Sequence, residues 1–390
     1  MKNTKQIVIK SMVWNGIGKI VSQIIQFVLN VVLARLLLPE DFGLIGMLSI
    51  FMSLSQILVQ SGFSHAFIQK KERRSLDFST VFIFDISISI ILYFVLFLSA
   101  PIIANFFNQP LLIFLVRIYC LTIIINSIGL VFTARLHIEM NFRYNEIASI
   151  SSMVVSGIIG ITFAYLGYGV YALVIQTITR SIINLMVLVL LSKWFPGLKF
   201  SFSVFKGLYK FGVNILIVKL IGNFFNDNIY KVMIGRTFSA SALGHFTYAS
   251  KFAELPSYTI STTLQNVTFP LLASFQGDRL KLVSVWKRLI RMSMYISFPV
   301  MIFIFVLAKP IVLLFLTENW LPVVPILQWL CLGRMLTPVI SLNMNVLNAI
   351  GRSDIYMKIY IIMIPITISI LFISIPLGLV AGWRTIKFAI

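Results

Sequence analysis

Long apolar segments separated by short polar ones make up most of this sequence. Each has roughly the 20 residues that an α-helix needs to cross the hydrocarbon of a bilayer. They lie at approximately residues 10–35, 43–67, 78–100, 111–131, 147–166, 169–191, 207–235, 244–272, 291–308, 324–347 and 356–380. This pattern predicts an all-α integral membrane protein with about 11 transmembrane helices.

The first segment, WNGIGKIVSQIIQFVLNVVLAR at residues 14–35, carries polar side chains at helical spacing. They are Asn15, Lys19, Gln23, Gln26 and Asn30. Steps of three or four residues return to nearly the same side of a helix that turns every ~3.6 residues, so these residues form one polar stripe. Polar groups at membrane depth are costly unless they face a bundle interior or an aqueous cavity, so the stripe predicts a wet helix face.

Composition and charge support a membrane protein and determine its orientation. The chain is 59% hydrophobic and 11% charged, with a net charge of +20 and a mean hydropathy of +0.96. The basic residues alternate with the apolar segments. With a cytoplasmic N-terminus, nearly all basic loop residues lie in the cytoplasm, and the opposite side receives Arg236, Lys309, Arg384 and Lys387. The positive-inside rule therefore predicts this topology, and it explains the charge without a nucleic-acid partner.

Several residues recur in the same order along the two halves of the chain. The matched pairs are Arg35 with Arg236, Gly43 with Gly244, Pro101 with Pro310, Cys120 with Cys331 and Tyr144 with Tyr356. An offset that spans six helices preserves orientation, so the pattern predicts two parallel six-helix repeats. The predicted lobes are residues 1–195 and 206–390, joined by a cytoplasmic linker at 196–205. After residue 380 the sequence reads AGWRTIKFAI, so we expect the last helix to be missing or aberrant.

The seventh apolar segment opens the second repeat and carries a polar stripe of its own. Its members are Lys219, Asn223, Asp227 and Lys231, at steps of four residues. Gln26 and Asn30 match Asp227 and Lys231 in the repeat. These two helices are therefore predicted to line a central cavity shared by the two lobes.

The motifs of several function classes are missing from the sequence. The sequence has three isolated histidines, His65, His137 and His245, and no DxD-type loop with paired acids. This argues against an enzyme. Cys120 and Cys331 lack metal-ligand spacing and are predicted to be packing residues. The sequence lacks a GxxxxGK[ST] loop, so nothing in it indicates that ATP is the energy source. We expect no cofactor, and a driving force from a proton or sodium gradient or from the substrate itself.

Several stretches resemble the polysaccharide-type flippases of the multidrug/oligosaccharidyl-lipid/polysaccharide exporter superfamily. The stretches are ARLLLPEDFGLIGM at 34–47, QSGFSHAFIQKK at 60–71, DFSTVF at 77–82, YASKFAELPSYTISTTLQNVTFPLLASFQ at 248–276, TENWLPVVPILQWLC at 317–331 and NAIGRSD at 348–354. The resemblance implies alternating-access transport of undecaprenyl-diphosphate-linked oligosaccharide across the bacterial inner membrane, for surface polysaccharides such as O-antigen. It also implies membrane lipids and a polysaccharide polymerase as partners.

The predicted spans contain more basic than acidic residues, which suits an anionic lipid diphosphate. The basic ones are Lys19, Arg117, Arg180, Lys219, Lys231, Lys251 and Arg334, and the acidic ones are Asp85, Asp227 and Glu254. A multidrug exporter of the same superfamily is the alternative, but cationic drugs favour a cavity dominated by carboxylates. An inactive truncated flippase is a further alternative.

Lys251 and Glu254 lie one helical turn apart, just before Pro256, and are the leading candidates for contact with substrate. YASKFAELP also resembles the murein-lipid flippases, which implies a basic and an acidic cavity residue at these positions. A local ion pair is the alternative. The arginines of the first helix in those flippases have no counterpart here, where Gln23, Gln26 and Asn30 stand.

The remaining candidates have weaker support. Lys19 and Lys231 are predicted to contact substrate from the two stripes, although Lys19 can instead extend towards the interface. Arg334 is either a substrate contact or a bond between helices. Asp85 is a candidate for proton or sodium coupling, or it pairs with Arg117 on the next span.

Overall fold

The computed structural model describes residues 2–60, 74–139, 141–207, 216, 220, 222, 228–273, 278–350 and 353–374. Within these ranges the ordered elements are α-helices and one short 3-10 helix, Glu318–Trp320. Eight stretches of the described chain are long and apolar enough to cross a membrane. They are Gly18–Leu36, Pro39–Gln60, Ser75–Phe107, Leu112–Ile138, Phe142–Tyr165, Val170–Ser192, Leu280–Val306 and Val323–Leu347. The chain is thus a multi-pass helical membrane protein.

The chain divides into two compact units, residues 1–240 and 241–390. The helices of the first unit are α1 (Lys2–Leu36), α2 (Pro39–Gln60), α3 (Ser75–Phe107), α4 (Leu112–Tyr119), α5 (Leu121–Ile138), α6 (Phe142–Tyr165), α7 (Val170–Ser192) and α8 (Ile229–Thr237). Those of the second unit are α9 (Ala240–Ala273), α10 (Arg279–Val306), α11 (Ala308–Phe315), α12 (Val323–Arg334), α13 (Thr337–Ala349) and α14 (Ser353–Ser374). The lobes predicted from the repeat, with their boundary at residues 196–205, stay a prediction.

Two of the predicted spans are each built from two helices. The fourth span is α4 followed by α5, with the junction at Cys120, and the tenth is α12 followed by α13. Cys120 and Cys331 are both buried and neither forms a disulfide, which fits the packing role predicted for them. The span around Pro256 shows the opposite behaviour, since α9 continues as a helix through this proline.

Small residues allow close packing of helices in the first unit. The Leu29 side chain of α1 occupies the space that a Cβ atom on Gly157 of α6 would need. Such close approach through glycine is typical of helix contacts in membranes, where dispersion forces replace the hydrophobic effect as the cause of association. A buried cluster of Phe82, Phe132 and Leu188 joins α3, α5 and α7, with Trp194 packed against it.

The helix α8 packs on α2 within the first unit. A Cβ atom on Gly43 of α2 would collide with the backbone carbonyl of Ala240, just beyond α8. At the same end of α8, the Arg236 guanidinium lies 5.3 Å from the centroid of the Phe106 ring of α3. These contacts explain why the end of the seventh predicted span belongs to the first compact unit.

Candidate functional site

The polar stripe of α1 lies between the packed face of the helix and its exposed apolar face. Ile20 and Ile24 are exposed, whereas Leu29 and Leu33 are buried. Successive residues turn by about 100°, which places Lys19, Gln23, Gln26 and Asn30 between these two faces. Lys19 and Gln23 are exposed, and Gln26 and Asn30 are half-buried. The stripe therefore runs from solvent-exposed polar groups, Lys19 and Gln23, to the half-buried Gln26 and Asn30.

Gln26 and Asn30 are held by a cation that comes from another helix. The Arg180 guanidinium of α7 donates a hydrogen bond of 2.8 Å to the Gln26 side-chain oxygen. The Gln26 amide nitrogen in turn donates to the Asn30 side-chain oxygen at 3.4 Å. Both acceptors are neutral, so the network orients Arg180 without cancelling its positive charge.

Lys19 has an acidic neighbour on α6 that the sequence analysis did not count. The Glu146 side chain packs against Gly18, and it is attracted electrostatically by Lys19. Glu146 was left out because the predicted span began at residue 147, whereas the helix begins at Phe142. Its position directly before the fifth apolar segment, which was predicted to begin at residue 147, was the available signal. Lys19 is therefore less available to substrate than the sequence implied.

Lys231 and Asn228 bind α2 through two serine hydroxyls. The Lys231 ammonium donates to Ser49 Oγ at 3.5 Å, and the Asn228 amide nitrogen donates to Ser53 Oγ at 2.8 Å. Ser49 and Ser53 lie one turn apart, as helix neighbours should. The sequence analysis missed Asn228, since it lies outside the stripe of four-residue steps. Asp227, which it did predict, lies outside the described residues.

In the second unit, Glu254 of α9 forms a salt bridge with Arg334 of α12. The two side chains are 42% and 30% exposed, so the pair is partly accessible. Lys251 is exposed, and its ammonium lies 5.3 Å from the centroid of the Tyr248 ring. The structure thus brings two predicted residues together across 80 positions of sequence. The bond between helices suggested for Arg334 is present, and contact of all three residues with substrate stays a prediction.

Asp85 of α3 is 1% exposed, and neither of its carboxylate oxygens has a hydrogen-bond partner among the described residues. The alternative that Asp85 pairs with Arg117 is not observed. The Arg117 guanidinium lies 4.5 Å from the centroid of the Phe97 ring. Phe97 is twelve residues beyond Asp85 on the same helix, or roughly 18 Å along its axis.

A partly open cavity of about 230 Å³, polar over about half of its lining and here called the polar cavity, lies in the first unit between α2, α5 and α7. Amide and hydroxyl groups line it: Gln56, Gln60, Asn126, Ser127, Ser181 and Asn184. Such neutral polar groups suit water or hydroxyl-rich ligands. A hydroxyl both donates and accepts hydrogen bonds, and a side-chain amide carries a donor nitrogen and an acceptor oxygen. None of these residues was predicted, because they come from three distant segments.

Comparison with known sequences gives one family and several relatives. Residues 32–325 match the model of a family described as polysaccharide biosynthesis protein. The teichuronic acid biosynthesis protein TuaB of Bacillus subtilis (strain 168) is 29% identical over 359 residues, which are 90% of this chain and 73% of the relative. The lipopolysaccharide biosynthesis protein WzxC of Escherichia coli (strain K12) is 26% identical over 351 residues, which are 88% of this chain and 70% of the relative.

Two solved structures show the fold. The lipid II flippase MurJ in an inward closed conformation superposes with a TM-score of 0.79 and 17% identity, over 97% of this chain and 85% of that one. An inward-facing multidrug resistance MATE family transporter of the MOP superfamily gives a TM-score of 0.72 and 17% identity, over 97% and 93%. At this identity the likeness shows the fold alone. The predicted fold class, an all-α membrane protein with the MOP flippase fold, is thereby confirmed.

Proposed function

Because the chain belongs to the polysaccharide biosynthesis protein family, we propose that it flips undecaprenyl-diphosphate-linked oligosaccharides across the bacterial plasma membrane. Relatives are named for the biosynthesis of teichuronic acid and lipopolysaccharide, and a succinoglycan biosynthesis transport protein, ExoT of Rhizobium meliloti (strain 1021), is 24% identical over 339 residues. Transport proceeds by alternating access and supplies surface polysaccharide synthesis.

The observation that carries this proposal is that two cations of the first unit, Arg180 and Lys231, donate hydrogen bonds to neutral groups. Arg180 donates to an amide oxygen and Lys231 to a serine hydroxyl. Neither of these two hydrogen bonds, as seen among the described residues, cancels the positive charge of its donor. An anionic diphosphate is attracted by such charges much more strongly in a medium of low dielectric than in water, and phosphate oxygens accept strong hydrogen bonds from guanidinium and ammonium groups.

The setting of this transporter follows from its charge and its substrate class. The N-terminus lies in the cytoplasm, since that orientation places nearly all basic loop residues on the cytoplasmic side. The carrier lipid stays in the bilayer, and its anionic headgroup crosses along polar groups of the protein. A polysaccharide polymerase that consumes the flipped units is the expected partner, and no nucleic acid is involved.

Reconstitution into liposomes tests the function directly. Labelled undecaprenyl-diphosphate oligosaccharide is supplied on one side, and its appearance on the other side is measured over time. The chain should accelerate translocation over empty liposomes. If a cationic drug is moved and the lipid-linked glycan is not, the multidrug alternative is correct and the proposal is wrong.

Substitution of Lys251 tests whether charge is the recognised feature. Lys251→Arg should retain more transport than Lys251→Ala, because an arginine keeps the positive charge that a phosphate needs. Lys281→Ala is the matched control, since Lys281 is a surface lysine that pairs with Asp278 and its side chain is 70% exposed. Equal loss in Lys251→Arg and Lys251→Ala would indicate that Lys251 contributes packing and not charge.

A further inference from the structure

We propose that Asp85 is a reversible proton-binding site of the first unit, reached from the polar cavity through Ser127 and Ser89. The role of this proton in transport rests on the proposed function, whereas the binding site itself does not. The proposal names a residue, a route and a ligand, and each of the three is argued from contacts inside the first unit.

The environment of Asp85 requires that its charge be neutralised. One turn earlier on α3, Val81 and Phe82 are buried in apolar clusters. A carboxylate buried among such groups without a hydrogen-bond donor is strongly disfavoured when ionised. Within the described chain no donor reaches its oxygens. A proton neutralises the carboxylate in the space available, since it needs no further ligand.

A sodium ion fits this environment poorly. Hard cations are bound by several oxygen atoms at once. One turn from Asp85 on α3 the side chains offer a single hydroxyl, that of Ser89, which would add only one oxygen to those of the carboxylate. The surroundings of Asp85 therefore favour a proton over a sodium ion.

The route to Asp85 consists of two serine hydroxyls. Ser127 lines the polar cavity, and its hydroxyl lies 2.9 Å from the Ser89 hydroxyl of α3. Ser89 follows Asp85 by four residues, so the two side chains are neighbours on one helix face, with about 5–6 Å between Cβ atoms. Rotation of the Ser89 side chain brings its hydroxyl towards the carboxylate. The proton comes from cavity water, joins the carboxylate to give a neutral acid, and leaves by the same path.

Other charged groups on the elements packed against α3 have contacts elsewhere. Arg117 lies over Phe97 and Arg236 over Phe106, further along the helix. Arg135 bonds Glu139 and lies over Trp194, and Lys231 bonds Ser49. On α3 itself, Asp77 accepts from the Arg74 backbone at 2.9 Å. Further charged or titratable groups are His137, Glu40, Lys193, Lys199 and Lys206, which are exposed, and Asp41, which accepts from the Leu38 backbone. The titratable groups that carry no charge at neutral pH are Tyr93, which is half-buried, and Tyr119, Cys120 and Tyr230, which are buried.

Infrared difference spectroscopy tests the binding site without any substrate. The band of a protonated carboxylic acid should be present in the wild-type chain at neutral pH and missing from Asp85→Asn. Asp77→Asn is the matched control, because its carboxylate on the same helix has a donor and should leave that band unchanged. If the Asp85→Asn spectrum retains the band, Asp85 is not the protonated group and the proposal is wrong.

A transport assay then tests coupling in proteoliposomes. A pH gradient imposed across the membrane should change the wild-type rate of glycan-lipid translocation, and Asp85→Asn should lose this response. Ser127→Ala should weaken the response but keep the infrared band, because only the route is damaged. An equal response in wild type and Asp85→Asn would overturn coupling, as would a response to a sodium gradient that Asp85→Asn abolishes. Absence of translocation in the wild type as well as in the variants, with the wild-type infrared band present, would instead refute the proposed function.

Discussion

Two acidic residues inside long helices, one in each unit, are held in opposite ways. Asp85 is 1% exposed and lacks a hydrogen-bond partner among the described residues, whereas Glu254 is partly exposed and bound to Arg334. The Arg334 guanidinium compensates the negative charge of Glu254. Asp85 can change its charge only by exchanging a proton. The comparison suggests that Glu254 holds a cation in place, whereas Asp85 exchanges between a charged and a neutral form.

Breaking the Glu254 salt bridge should have the largest effect. Glu254→Ala leaves Arg334 without its carboxylate, and a hydrogen bond to a charged group contributes about 1.5–3 kcal/mol. Loss of that positioning should lower glycan-lipid transport by about tenfold, which corresponds to roughly 1.4 kcal/mol. Flux through proteoliposomes measures this. The effect on thermal stability should be smaller, because solvent reaches both side chains.

Exchanging the two charges tests whether Glu254 acts by positioning the residue at 334 or only as an acidic group. Glu254→Arg combined with Arg334→Glu restores opposite charges on α9 and α12, and should recover part of the transport lost by Glu254→Ala. Non-additivity between the single and double variants then measures the coupling of the pair. Wild-type transport in Glu254→Ala would show that this salt bridge is dispensable.

The sequence predicted features that depend on local periodicity. The stripe on α1 and the helical spacing of Lys251 and Glu254 follow from a helix turn of roughly 3.6 residues, which neighbours in sequence determine. Their partners could not be predicted in this way. Arg180 is far from Gln26 along the chain, as Arg334 is from Glu254, and only the packing of helices brings them together.

One error in the sequence analysis was avoidable. Asp85 and Arg117 each lie near the start of their predicted spans, and consecutive spans run in opposite directions. Their side chains therefore lie at different depths, which already argues against an ion pair. Glu146 was missed for a different reason, since helix ends are the least certain part of a prediction from sequence.

Removing the amide that binds Arg180 should have an intermediate effect. Gln26→Ala deletes the acceptor at 2.8 Å and should cost about 1.5 kcal/mol of stability, the lower end for a hydrogen bond to a charged group. The midpoint of thermal unfolding in detergent measures the loss. Gln23→Ala is the control, because Gln23 is an exposed member of the same stripe and surface substitutions usually change stability by less than about 0.5 kcal/mol. Equal losses in both variants would mean that the bond to Arg180 does not stabilise the first unit.

The smallest change is expected for the stability of Asp85→Asn at neutral pH. A protonated carboxyl and an amide are neutral and nearly equal in size, so exchange of one for the other leaves the packing around Val81 and Phe82 intact. The free energy of unfolding should therefore change by less than about 0.5 kcal/mol. If Asp85 were instead ionised and paired with a counterion, Asp85→Asn would remove that attraction and destabilise the chain. Glu254→Gln provides the contrast in the same measurement, because it removes a charge from an observed salt bridge and should lower the unfolding midpoint. If Asp85→Asn destabilises the chain more than Glu254→Gln does, Asp85 is charged and partnered in the folded protein, and the distinction between the two acids is wrong.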